Sequence, residues 1–93
     1  MAVLEKDIIT DRLKVMNNWL YEHRELEKHY QLKDFKEALA FVNKVGELAE
    51  ELNHHPDIFI YSWNKVKICI STHSEGGITE KDFELAQKID LLI

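Results

Sequence analysis

Hydrophobic and polar positions alternate along this chain in two rhythms, and each change of rhythm marks a change of element. Leu4, Ile8, Ile9, Leu13 and Met16 recur at helical spacing, which predicts a first helix of about ten residues. It should close near Asn17-Asn18, because asparagine tolerates the left-handed backbone that ends helices. Over residues 19–23 and 25–32 the period drops to two. Leu26, Tyr30 and Leu32 fall on one face and Glu27, His29 and Gln31 on the other, as in a hairpin of half-buried strands. Asp34 followed three positions later by Glu37 is a capping-box-like start. Phe35, Ala38, Leu39, Val42, Val45, Ala49 and Leu52 then trace the buried stripe of a long helix. Pro56 ends that helix, since the residue before a proline is pushed out of the helical region. His55 is therefore expected to be extended and the helix to stop near Asn53 or His54.

Residues 58–63 are apolar on both alternating sets, Ile58 and Ile60 on one and Phe59, Tyr61 and Trp63 on the other, which predicts a strand covered on both faces. Asn64-Lys65 is expected to turn the chain. In the following strand, residues 66–73, Val66, Ile68 and Ile70 face a core while Lys67, Cys69, Ser71 and His73 face away. A flexible Ser74-Glu75-Gly76-Gly77 loop then leads to a last helix opened by Thr79 and Asp82, with Phe83, Ala86, Ile89 and Ile93 as its stripe. The order α-β-β-α-β-β-α implies an α+β fold: a four-stranded antiparallel sheet with three helices packed on one face. A single domain, 1–93, accounts for the whole chain.

Composition narrows the function classes. Seventeen acidic residues against twelve basic ones give a net charge of -5, which repels phosphate backbones and anionic lipid and argues against direct nucleic-acid or membrane partners. The lone Cys69 has no internal disulfide partner, and no early stretch is apolar enough for a signal peptide or membrane span, so a reducing, cytoplasmic setting is expected.

The candidate chemistry lies in residues 50–82. Three of the five histidines are here, His54 and His55 adjacent at a helix end and His73 at a strand end. Imidazole titrates nearest physiological pH, so the set suggests proton transfer. A metal site is disfavoured by spacing. Adjacent side chains diverge, Cys69 and His73 lie about 13 Å apart along one strand, and no Cys-x-x-Cys or His-Glu-x-x-His pattern occurs. Cys69, flanked by Ile68 and Ile70, reads as a packing residue rather than a nucleophile. A polar helix cap and a solvated strand end explain the histidines equally well by spacing alone. Glu50 reads as an exposed helix residue, and Asp82 as a carboxylate that caps backbone. Trp19 and Trp63 are core aromatics, or indoles able to stack on a flat heterocycle.

Glu50, His54-His55-Pro56, Trp63, His73 and Asp82 at these intervals resemble the signature of the pterin-4a-carbinolamine dehydratases, also called 4a-hydroxytetrahydrobiopterin dehydratases. The likeness extends through Trp19, Leu32-Lys33-Asp34-Phe35, Trp63-Asn64-Lys65-Val66, Ser71-Thr72-His73 and residues 76–82, although Trp63 stands where many relatives have tyrosine. The resemblance implies loss of water from a 4a-hydroxytetrahydropterin to give quinonoid dihydropterin, in tetrahydrobiopterin recycling, without metal or organic cofactor. It assigns the acid and base roles to His54, His55 and His73, their division left open. Asn53, Ser71, Thr72 and Ser74 become candidates to hydrogen-bond the pterin, with Trp63 and Trp19 as aromatic contacts. The partners implied are the pterin and further copies of the chain, as a homodimer or homotetramer. The doubly apolar 58–63 strand motivates that interface. Animal members of the family also serve as a dimerisation cofactor for a transcription factor, so a protein-binding module is the alternative function.

Overall fold

The computed structural model describes residues 2–93. Its sheet is built on β4 (Lys65–Ile70), which pairs antiparallel with β2 (Glu25–Gln31) on one side and β3 (Asp57–Tyr61) on the other. A short β1 (Leu20–Glu22) pairs with β2, giving the order β1-β2-β4-β3. The register sets Leu26 opposite Ile70, Tyr30 opposite Val66 and Ile58 opposite Ile68, so the residues expected to face inward share one face. Leu26, Val66, Ile68 and Ile70 are fully buried there. Helices α1 (Lys6–Leu13), α2 (Phe35–Leu52) and α3 (Glu80–Asp90) complete this core with Ile9, with Ala38, Phe41 and Val45, and with Phe83, Leu85, Ala86 and Ile89. The α-β-β-α-β-β-α order and the one-sided helical layer agree with the hydrophobic pattern.

Local details differ from the pattern, each for a physical reason. Helix α1 stops at Leu13, short of Asn17-Asn18, because the chain must turn back into β1. Met16 N–H closes onto the Leu13 carbonyl at 3.1 Å, and Asn18 takes a left-handed φ of 63°. Ile8 is left half exposed. The hairpin between β1 and β2 turns through His23 and Arg24, with φ 54° and 63°. Two left-handed residues match the strand twist even without glycine. On α2 the inward line runs through Ala38, Phe41, Val45 and Ala49, while Phe35 and Leu39, expected inside, lie on a rotated stripe and are exposed.

Strand β3 is the larger correction. It is a sheet edge, and its outward set, Phe59, Tyr61 and the following Trp63, is 47%, 38% and 59% exposed because no element among the described residues covers that face. The β3–β4 turn uses Ser62 and Trp63, at φ 46° and 56°, rather than Asn64-Lys65. Asn64 is buried instead, where its Nδ2–H donates to the Leu32 carbonyl at 3.0 Å and its own carbonyl accepts from Leu32 N–H at 2.8 Å. Residues 74–77 form a defined turn rather than an irregular loop. His73–Glu75 form one 3-10 turn, Gly76 takes a left-handed φ of 76°, and Thr72 pairs with Gly77. A Cβ at position 77 would lie 2.8 Å from Val3 Cγ1, so any larger residue there has to displace the Val3 side chain. Beyond the other end of α3, Ile93 is exposed, while Leu85, which the stripe omitted, is fully buried.

The C-terminal end of α3 is fastened to the sheet by one carboxylate. Asp90 accepts from Trp19 Nε1–H at 2.9 Å, from Lys28 Nζ at 2.8 Å and from the Tyr30 hydroxyl at 2.7 Å. Burial, then the bond to Asp90, pushes the Tyr30 phenol far above its ordinary value, so it stays a donor. Asp90→Ala would strand three donors and should cost about 2–4 kcal/mol. Urea unfolding followed by tryptophan fluorescence measures this, and a loss below about 0.5 kcal/mol would contradict the anchoring role.

Candidate active site

Helix α2 ends in a cap that throws the next residues sideways. Asn53 is left-handed at φ 50° and ψ 45°, its N–H bonds the Glu50 carbonyl at 3.2 Å, and His54 N–H bonds the Ala49 carbonyl at 3.0 Å. This is the Schellman arrangement, and asparagine is the non-glycine residue best suited to its left-handed position. Pro56 then directs the chain into β3, which begins at Asp57. His54 and His55, adjacent in sequence, thereby point into different surroundings.

His54 is buried against the start of α3, with Nε2 2.6 Å from Oδ1 of Asp82. Asp82 has no exposed surface. Its Oδ2 accepts from Thr79 N–H and from the Thr72 hydroxyl, both at 2.8 Å, and the Thr72 and Thr79 hydroxyls are 2.8 Å apart. A carboxylate can only accept, so the hydrogen-bond network assigns a proton to His54 Nε2, and the neutral ring then keeps a lone pair on Nδ1.

His55 is exposed and turns its Nε2 to the exposed Glu50 carboxylate one turn back on α2. Both lie in water, so the pair orients the ring rather than adding much stability. With Gly46, Ala49, Pro56 and Ile58 they line a broad concavity of about 890 Å³. His73 begins the 3-10 turn, exposed, with Nε2 3.4 Å from Ser71 Oγ. It lines a second concavity of about 250 Å³ with Ser71, Gly76, Gly77 and the β1–β2 turn residues His23, Arg24 and Glu25. His54 lines neither. All three histidines leave the same end of the sheet, because the antiparallel register that pairs Asp57 with Cys69 brings the start of β3 beside the end of β4.

The other residues singled out from sequence divide into two groups. Ser71, buried beside His73, and the exposed Ser74 on its turn stay near the histidines. Thr72 is close too, but its hydroxyl is taken by Asp82 and Thr79, so it has no free donor for a ligand. Asn53 has a structural task as the helix cap. Trp19 is buried on Asp90, two turns or about 12 Å along α3 from Asp82. Trp63 sits at the far end of β4, eight residues or roughly 25 Å from Ser71. Neither indole meets the histidines within one chain. Glu50 and Asp82 had sufficient structural reasons in the sequence, yet each is the hydrogen-bond partner of a histidine. His23, Arg24 and Glu25 gave no signal beyond a turn without glycine.

Cys69 is buried with Sγ 3.7 Å from Glu27 Oε1. Burial, helped by the charges of Glu25 and Glu27, pushes its thiol up to about 11, which keeps it protonated and unreactive near neutrality. Among the described residues no three His, Cys, Asp or Glu side chains gather to hold a metal ion, and no helix is long and apolar enough to cross a membrane.

Solved structures share this architecture. A transcriptional coactivator/pterin dehydratase from Brucella melitensis superposes with a TM-score of 0.90 over 97% of each chain at 29% identity. A pterin dehydratase-like protein identified as a RuBisCO assembly factor in the alpha-carboxysome has the same fold, with a TM-score of 0.69, 22% identity and coverage of 83% and 90% of the two chains. The family model for pterin 4 alpha carbinolamine dehydratase matches residues 2–92. A Sulfolobus acidocaldarius protein provisionally named pterin-4-alpha-carbinolamine dehydratase is 47% identical over 94% of both chains. A Sulfurisphaera tokodaii protein of the same provisional name is 45% identical over all of this chain and 99% of its own. The chain belongs to the pterin 4 alpha carbinolamine dehydratase family.

The state of Cys69 is open to direct measurement. At pH 8 its alkylation by iodoacetamide should run about a hundredfold slower than that of an unperturbed thiol, and the rate should climb until pH 11. Mass spectrometry of timed samples gives the rates. Rapid alkylation of folded protein at pH 8 would show an activated thiolate.

Proposed function

We propose that the chain removes water from a 4a-hydroxytetrahydropterin to give quinonoid dihydropterin, in tetrahydrobiopterin recycling. The C4a–O bond breaks as a proton reaches the departing hydroxyl, a proton leaves N5, and a C4a=N5 double bond forms. Both proton transfers occur near neutral pH, where imidazole serves as acid or base. The observation that carries this reading is the buried pair of His54 and Asp82, which holds one imidazole in one tautomer at the end of the sheet where the exposed His55 and His73 also lie. Membership of the dehydratase family and the resemblance of the His54, His55 and His73 pattern to its signature support it. On this reading His55 and His73, which reach solvent, act on the hydroxyl and N5, and the fixed His54 orients the pterin ring. Asn53, Ser71 and Ser74 contact the pterin edge.

Stopped-flow absorbance of quinonoid dihydropterin formation tests the proposal. His54→Ala, His55→Ala and His73→Ala should each lower the catalysed rate, by about 100- to 10,000-fold for a general acid or base. Three variants at the wild-type rate would reject it. Activity abolished by a chelator would instead require a metal.

Assembly belongs to the same proposal. Strand β3 has an unpaired edge, and Phe59 and Trp63 beside it, like Phe35 and Leu39 on α2, are exposed. Edges of this kind are covered in stable proteins, and a second copy of the chain, in a homodimer or homotetramer in a cytoplasmic setting, is the simplest cover. Light scattering at micromolar concentration should give a dimer or tetramer mass, and a stable monomer would refute the assembly. The same exposed surface, with the coactivator description of the Brucella neighbour, favours a protein-binding module as the second reading.

A further inference from the structure

Thr72 is the residue through which the two histidine-bearing segments meet. Its hydroxyl donates to Asp82 Oδ2 at 2.8 Å, and Oδ1 of the same carboxylate holds His54 at 2.6 Å. A donor to a carboxylate has one proton to give, so the Thr79 hydroxyl, 2.8 Å away, must donate to Thr72. Both hydrogen-bonding directions of the Thr72 hydroxyl are therefore fixed, and the residue is only 8% exposed. Its backbone builds the other half of the link. Thr72 N–H bonds the Gly77 carbonyl at 2.9 Å, and its own carbonyl accepts from Glu75 and Gly76, each at 3.0 Å, closing the turn that starts at His73.

We infer that Thr72 is a positioning residue: it orients His54 through Asp82 and joins the His73 turn to the same buried network, so that the two imidazoles keep one relative geometry. This rests on the dehydratase reading for its kinetic consequence, while the hydrogen-bond relay stands on the geometry alone. Without the hydroxyl, Asp82 Oδ2 keeps only the Thr79 N–H, so one of the three donors that orient the carboxylate toward His54 is lost. Valine fills the same volume as threonine but cannot donate, whereas serine keeps the donor.

Thr72→Val should lower kcat about 10- to 100-fold, the range that loss of an outer hydrogen-bond partner produces at metal-bound histidines, since Thr72 acts on His54 through Asp82. The loss should fall mainly on kcat, with a smaller change in KM, because His54, which orients the pterin, is displaced rather than removed. Thr72→Ser should restore most of kcat. Nitrogen-15 NMR of labelled protein supplies a readout independent of turnover. The wild type should show a slowly exchanging His54 Nε2–H, lost in Thr72→Val and recovered in Thr72→Ser. A rise in KM alone, failure of serine to rescue, or an unaltered His54 N–H signal in Thr72→Val would each overturn the inference. Should Thr72→Val not fold, the wild type still decides: a protected Thr72 hydroxyl proton close to His54 Nε2–H supports the relay, and its absence refutes it. Wild-type protein inactive on the pterin but showing these NMR signals would refute the dehydratase reading and leave the relay intact.

Discussion

A carboxylate with no exposed surface has to be saturated by donors, and in this protein that requirement sits at Asp82. Its donors come from three separate places in the chain: the residue just past the end of α2, the residue just past β4, and the cap of its own helix. Satisfying one buried charge thus ties the residues that follow α2 and β4 to the start of α3. The His55 and Glu50 pair is a useful contrast. It has the same chemical types but lies in water, where a mobile ion pair places little constraint on the backbone.

Helix α3 carries a carboxylate near each end, and the two divide the work. Asp90 ties the C-terminal end to Trp19, Lys28 and Tyr30 on the first hairpin, while Asp82 ties the N-terminal end to the histidine-bearing segments. Between them Phe83, Leu85, Ala86 and Ile89 fill the core. The helix is therefore held at both ends and along its length, a rigid base of the kind that positioned proton-transfer groups require. Pro56 and the left-handed Asn53 do the complementary task on α2, stopping it where adjacent imidazoles can separate, one inward and one outward.

The sheet face away from the helices has a different character. Phe59, Tyr61 and Lys67 line a shallow hollow with His29, which bonds the Tyr61 hydroxyl at 2.7 Å, and Lys67 lies over the Phe59 ring. Polar and charged groups here shield apolar ones only in part, consistent with a strand whose two alternating sets are both apolar in sequence. The proposed assembly and the proposed chemistry use opposite resources of one small domain: an open edge for the first, a closed polar network for the second.

Periodicity was enough for the element order and the inward sets of β2 and β4, and the Asp34 capping pattern and Pro56 for the start and stop of α2, because these depend on neighbours within a few residues. The resemblance in residues 50–82 likewise pointed to His54, His55 and His73. Contacts between distant parts of the chain were not legible. Whether Phe59 faces a helix or solvent depends on which strand takes the edge, and a doubly apolar pattern is the same in both cases. Asp82 illustrates the limit best. As the third residue after Thr79 it had a complete local explanation, and only the fold brings His54 and Thr72, 28 and 10 residues away, onto its two oxygens. Local rules fix what a side chain can do for its own helix, and tertiary packing decides which distant group uses the lone pairs that remain.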